Sequence, residues 1–235
     1  MWLMKKMACN IFFSLIVMTG VALAETASKK DNKSVWREDF KTMPAEWVTK
    51  LKPGTKPAEF SVTQASGSEN GCLNMKADNA SATFMIKLKT IDLHKTPILR
   101  WRWRVTTFPK GADGRNSKKD DQAIGIYVSH GGFLNQHSIA YRWETETPVK
   151  SEGTSSYAAG VVKVKWICLR NKNDGDEKTF FIEERNVAED FKNAFGYIPD
   201  KIGVGVSCNS QYTESQAVAQ LDWIELLPKE SGNHP

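Results

Sequence analysis

The chain predicts an all-β domain, a sandwich or barrel with at most one or two short helices. Three observations carry this. Apolar residues alternate with polar ones at a period of two through most of the chain, most cleanly in LRWRWRV at residues 99–105. Turn chemistry separates these runs, as in Lys52-Pro53-Gly54, residues 66–71 (SGSENG), 109–114 (PKGADG) and 171–176 (NKNDGD). A helical period surfaces only at residues 186–195 (NVAEDFKNAF), where Val187, Phe191 and Phe195 share a stripe.

The N-terminus reads as a signal peptide over residues 1–24. Lys5 and Lys6 supply the positive segment, residues 11–17 (IFFSLIV) the apolar one, and Ala22-Leu23-Ala24 the small residues of a cleavage site. The apolar stretch falls short of the ~20 residues that span a bilayer, and no later segment is apolar enough, so no transmembrane segment is expected after cleavage. Residues 25–34 (ETASKKDNKS) read as a flexible leader, 35–228 as one β-domain and 229–235 as a disordered tail. Strands are expected at 82–88, 99–105, 123–128, 138–143, 161–169, 179–182, 202–207 and 217–226, most of them rich in β-branched and aromatic residues. The expected address is periplasmic or secreted.

The formal charge of the whole chain is +5, from 32 basic and 27 acidic side chains. That balance excludes a nucleic-acid partner, and export points the same way. Cys72, Cys168 and Cys208 remain after cleavage. An odd count leaves at least one thiol unpaired, and Cys72 is expected to be free. Cys168 and Cys208 lie in alternating runs that suit either a bridge or two buried thiols.

Several blocks carry a resemblance. They are Glu38-Asp39-Phe40, Trp47, Leu73-Asn74-Met75, LRWRWRV, Gly111-Ala112-Asp113 and Asp120-Asp121, then Tyr141-Arg142-Trp143, Asp190-Phe191, Phe195-Gly196 with Pro199, and Leu221-Asp222-Trp223-Ile224-Glu225-Leu226. In this order, from about residue 36 to 226, they resemble the bacterial exported family known as domain of unknown function 3047. The resemblance implies a concanavalin-like or galactose-binding-like jelly roll, a β-sandwich of two antiparallel sheets, with no assigned activity. The chain departs from that pattern at Arg185-Asn186, where the family carries Arg-Asp. It departs again at residues 208–214 (CNSQYTE), where the family has an acidic, Asn-rich loop.

Arg100, Arg102 and Arg104 stand roughly 6.6 Å apart on one face of their strand. They suit either a ligand face for a linear polyanion or a ladder of cross-strand charge pairs. Trp101 and Trp103, on the other face, are expected in the core. Tyr127, Tyr141, Arg142 and Arg185 complete the candidate ligand-binding set, sugar stacking being the use expected of an exposed tyrosine; Tyr157 and Tyr212 are open between surface and site. Asp113, Asp120 and Asp121 are the candidate metal ligands, for a structural calcium; no other cofactor is indicated. Gln136, His137, Tyr141 and Arg142 supply the residue types of a polysaccharide lyase, with His137 as base and Tyr141 as acid. No G-x-S-x-G, H-E-x-x-H or phosphate-loop motif is present, and no residue is assigned as catalytic. The reading is a non-catalytic exported domain that binds a glycan or another envelope component. The alternatives are a lyase or hydrolase of acidic polysaccharide and a structural or assembly protein of the envelope.

Overall fold

A computed structural model describes residues 33–229, apart from 69, 133, 134, 158 and 159. The signal-peptide segment, most of the leader and residues 230–235 lie outside the described residues. Thirteen strands and one helix are described. They run β1 (Trp36–Glu38), β2 (Val48–Leu51), β3 (Glu59–Thr63), β4 (Cys72–Asp78), β5 (Ser81–Leu88), β6 (Ile98–Thr107) and β7 (Ile124–Gly132). After these come β8 (Asn135–Trp143), β9 (Glu152–Tyr157), β10 (Val162–Arg170), β11 (Phe181–Asn186), α1 (Val187–Phe195), β12 (Ile202–Asn209) and β13 (Gln216–Leu227).

The strands form a jelly-roll β-sandwich. One sheet has the order β11-β6-β13-β4-β3, with β1 also on β13; the other has β2-β5-β12-β7-β8-β10-β9. Strand β13 is long enough to pair with β6 on one edge while sharing its other edge between β4 and β1. Among the described strands, pairing is antiparallel except between β8 and β10. Those two run parallel because β9 lies outside β10, antiparallel to it, and returns the chain.

Period-two alternation decides what is buried. In β6 it sends Leu99, Trp101 and Trp103 inward with no exposed surface, while the arginines between them point away from the core. Trp101 stacks on Tyr141 of β8 at 5.3 Å between ring centroids, and Trp103 meets Trp143 at 5.6 Å, so aromatic pairs tie the two sheets together. Ile126, Val128, Val204 and Val206 fill the core from the other sheet.

The expected helix forms as α1. Asn186 caps it by accepting a hydrogen bond from the Glu189 amide at 3.1 Å. Asn serves this role about as well as Asp, so the departure at Arg185-Asn186 leaves the cap intact. Gly196 ends the helix in the left-handed conformation, φ 81°. Asp190 accepts a 2.6 Å hydrogen bond from the Tyr141 hydroxyl and pairs with Arg185, docking α1 on the sandwich. Cys72, Cys168 and Cys208 are all buried free thiols, which answers the alternative left open for the last two.

Candidate functional site

The outer face of the seven-stranded sheet carries an open groove of about 1200 Å³, to which all seven of its strands contribute lining residues. Sequence alternation builds it. In β12 the residues Ile202, Val204 and Val206 enter the core, which turns Gly203, Gly205 and Ser207 to the groove. Bare backbone therefore floors the centre. Thr83, Met85 and Lys87 of β5 and Tyr127 and Ser129 of β7 stand on either side in register with it. The Tyr127 ring lies across Gly125, where a Cβ would sit 2.9 Å from the ring. Beyond Tyr127, a small apolar cluster of Ala140, Val164 and Trp166 supports the sheet's outer face. The Trp166 indole lies flat over Gly153 of β9, leaving no room for a side chain there.

One end of the groove is a continuous polar network. Ser81 Oγ donates to Asn209 Oδ1 at 2.7 Å, and Asn209 Nδ2 donates to Gln122 Oε1 at 2.9 Å. Gln122 Nε2 in turn donates to Asp120 Oδ1 at 2.8 Å. Asp120 also accepts from Arg142 Nη1 at 2.8 Å and from the Tyr157 hydroxyl at 3.2 Å. The same Arg142 nitrogen stands 3.5 Å from Glu144, whose other oxygen accepts from Thr147 at 3.1 Å. Arg142 is buried between these carboxylates and the Trp166 ring.

One guanidinium between two buried carboxylates cannot neutralise both. Asp120 has the closer contact and two further donors. Glu144 has less, and burial pushes its carboxyl up to about 7, the charge of Asp120 adding to the effect while Arg142 opposes it. The Tyr157 hydroxyl is raised by burial and by the neighbouring Tyr127 and Asp120, so it stays protonated and donating. Two atoms lining this region, Ser207 Oγ and Gln211 Oε1, are buried and find no hydrogen-bond partner among the described residues. Tyr212 closes the same end. Asp121 holds the loop that carries it, accepting from the backbone amides of Tyr212 and Thr213 and from the Thr213 hydroxyl. Lys52 from across the groove donates to the Tyr212 hydroxyl at 2.8 Å.

Of the seven expected ligand residues, only Tyr127 lines this groove; Arg142 is buried behind Asp120, which does line it. Arg100, Arg102 and Arg104 lie on the outer face of the other sheet and are held by β13. Arg100 pairs with Glu225 at 2.6 Å, Arg102 with Asp222, and Arg104 Nε donates to Gln220 Oε1 at 2.6 Å. The bulge at Asp222 in β13 aims that carboxylate at Arg102. The row is a cross-strand ladder. Tyr141 corrects to a core residue, fully buried against Trp101 with its hydroxyl on Asp190. Arg185 is engaged by Asp190 and sits beside Tyr141, away from the groove.

The lyase set divides across β8. Gln136 and Arg142 take the groove side. His137 takes the other, stacked on Phe195 at 4.4 Å and hydrogen-bonded to the Tyr197 hydroxyl at 2.9 Å. Burial lowers the His137 pKa, helped by Lys163 and His130. His137 and Tyr141 therefore act on nothing in the groove.

The three aspartates serve separate tasks and form no shared shell. Arg115 holds Asp113 down at about 2, Asp120 belongs to the Arg142 network, and Asp121 anchors the Tyr212 loop. Among the described residues no group of three or more His, Cys, Asp or Glu side chains could hold a metal ion, and no helix is long and apolar enough to cross a membrane.

The model of a family described as "Protein of unknown function (DUF3047)" matches residues 45–225. No curated protein matches the chain. Among solved structures, the chain is similar to the family 11 carbohydrate-binding module of a cellulosomal cellulase from Clostridium thermocellum. Identity is 10%, with 86% of this chain and 97% of that one covered, at a TM-score of 0.44. The xyloglucanase domain of a type three effector from Sinorhizobium fredii aligns at 13% identity over 78% and 93%, TM-score 0.44. A mannan-recognising carbohydrate-binding module aligns at 14% identity over 84% and 98%, TM-score 0.36.

Proposed function

The chain belongs to the DUF3047 family, and we propose that it binds a glycan chain along the groove on the outer face of its seven-stranded sheet. One observation carries this reading. The same groove is lined by Tyr127, Tyr157 and Tyr212 and by Ser207 and Gln211, whose Oγ and Oε1 find no hydrogen-bond partner among the described residues. A sugar ring offers what such a surface lacks: C–H faces that stack on aromatic rings, and hydroxyls that both donate and accept. The bare glycine floor of β12 lets a flat chain approach the backbone closely.

Hydrolysis is the second reading, because Asp120 and Glu144 flank one guanidinium and burial raises the Glu144 carboxyl to about 7. Glu144, however, is fully buried and does not line the groove. A sugar seated on the tyrosines reaches Asp120 only, and Asp120 is already held by Arg142, Gln122 and Tyr157. Binding without turnover follows. The exported address read from residues 1–24 belongs to the same proposal, since it puts the domain where envelope and extracellular glycans are met.

Calorimetry against a panel of neutral and acidic polysaccharides tests the reading. Tyr127→Ala should weaken the best ligand by about tenfold or more, the size of one anchoring aromatic contact, while its thermal melt stays close to that of the parent. The same mixtures should release no new reducing ends. Binding undiminished in Tyr127→Ala, or no binding to any polysaccharide, would overturn it.

A further inference from the structure

Resting on the glycan reading of the groove, we propose that its ligand is an acidic polysaccharide, whose anionic groups lie against Lys87, Lys89 and Lys201. The groove is lined by five lysines and a single carboxylate, Asp120. Arg142 already balances Asp120, so the lysines have no countercharge within the groove.

Among the described residues three lysines are ion-paired, and what distinguishes those of the groove is their grouping. Lys165 pairs with Glu152 at 2.7 Å, Lys172 with Glu146 at 2.6 Å, and Lys56 with Asp78 at 3.9 Å. In the groove, Lys52 is taken up by Tyr212, with its ammonium 4.2 Å from the ring centre as well as on the hydroxyl. Lys50, Lys87, Lys89 and Lys201 have no ion pair among the described residues.

Register makes the cluster specific. Lys87 stands opposite Gly203, and Ile202 opposite Leu88. Lys89 directly follows β5 and Lys201 directly precedes β12 at this same end, and both line the groove together with Lys87. Like charges directly opposite across a strand pair are destabilising. Here three lysines gather at one end of the groove, and no carboxylate among the described residues lines that end. Such a cluster favours whatever anion settles on it. Its place along the groove fits a chain ligand. The Thr83 level, beside Tyr127 and Ser207, lies four residues from Lys87 on β5, roughly 13 Å at strand pitch. A polymer stacked at the tyrosine end therefore passes the lysines, where uronate or sulfate groups meet ammonium donors.

Titration of the protein with polygalacturonate, dextran sulfate, a neutral mixed-linkage glucan and duplex DNA, at low and high salt, tests the proposal. It is run beside Lys87→Gln/Lys89→Gln/Lys201→Gln. The parent should prefer one of the acidic polysaccharides to the neutral glucan, and that preference should shrink as salt rises. The triple variant should lose about tenfold or more for the acidic polymer, near threefold per exposed charge. It should keep its affinity for the neutral glucan and melt no lower than the parent. Undiminished binding of the acidic polymer by the variant overturns the lysine assignment. The glycan reading survives that result if neutral binding still depends on Tyr127. Duplex DNA bound as tightly as the polysaccharide overturns the assignment too, because the cluster would then be a general polyanion patch. No binding of either acidic or neutral polysaccharide removes both this inference and the reading on which it rests.

Discussion

Replacing Glu144 by Gln should leave the protein little changed in mild acid and make it more stable than the parent in mild alkali. In the folded protein Glu144 is buried beside an arginine that Asp120 already occupies, and its carboxyl is pushed from the ordinary 4.5 up to about 7. The folded state therefore holds a proton that the unfolded chain releases. A folded pKa above the unfolded one makes a contribution that is fully present below pH 4.5. It fades as pH rises and is gone once pH passes about 7. The displacement corresponds to about 3 kcal/mol at most. Gln cannot ionise, so Glu144→Gln escapes that loss. Urea denaturation of both proteins at about pH 4 and about pH 8 isolates the effect, because any constant cost of seating the amide cancels between the two pH values. The variant should gain up to about 3 kcal/mol on the parent across that window, or roughly 6–12 °C in melting temperature. Parallel stability curves for parent and variant would show Glu144 ionised throughout, with Arg142 sustaining both carboxylates.

Arg100→Gln, Arg102→Gln and Arg104→Gln should each lower stability by about 1 kcal/mol and leave glycan affinity in the groove unchanged; calorimetry beside thermal melts checks both. Cys72, Cys168 and Cys208 should resist a thiol reagent in the native protein and all react on unfolding. All three are buried, and burial pushes the thiols of Cys168 and Cys208 up to about 12. A disulfide found in the native protein would contradict this. The exported form should begin at Glu25, which intact mass on periplasmic material decides; a mature form retaining Met1 would contradict it.

The elements legible in the sequence are those that alternate because one face is buried. β5 to β8, β10, β12 and β13 show it, β6 without interruption. β11 (FIEERN) has no such period and shares only Phe181 and Ile182 with the strand expected at 179–182. β2 and β9 were not legible because they are sheet edges. Every residue of β2 is exposed, and β9 reads EGTSSY, so neither has an apolar face to impose a period. β4 did carry the signal, with Leu73, Met75 and Ala77 buried between polar residues.

The site was harder to read. Alternation correctly put the arginines of β6 opposite its tryptophans, but their partners lie on β13, as far as 125 residues away in the case of Arg100 and Glu225. Register between distant strands is not written locally, so the ladder and the ligand face look alike in sequence. The groove itself announces its position in IGVGVS at the start of β12. Small residues alternating with aliphatic ones mark a strand whose outer face is left open. Gln122, Asn209 and Ser81 carry no motif and become a network only when β5, β12 and the segment before β7 meet.

The claim that the groove on the seven-stranded sheet is the glycan site is tested most directly by mapping backbone amide shifts on adding a bound oligosaccharide. Shifts concentrated at Thr83, Tyr127, Ser129, Gly203, Gly205 and Ser207, with Trp101, Arg102 and Trp223 of the other sheet unmoved, are the expected result. Shifts clustered along β6 and β13 instead would put the ligand on the arginine ladder and contradict the assignment.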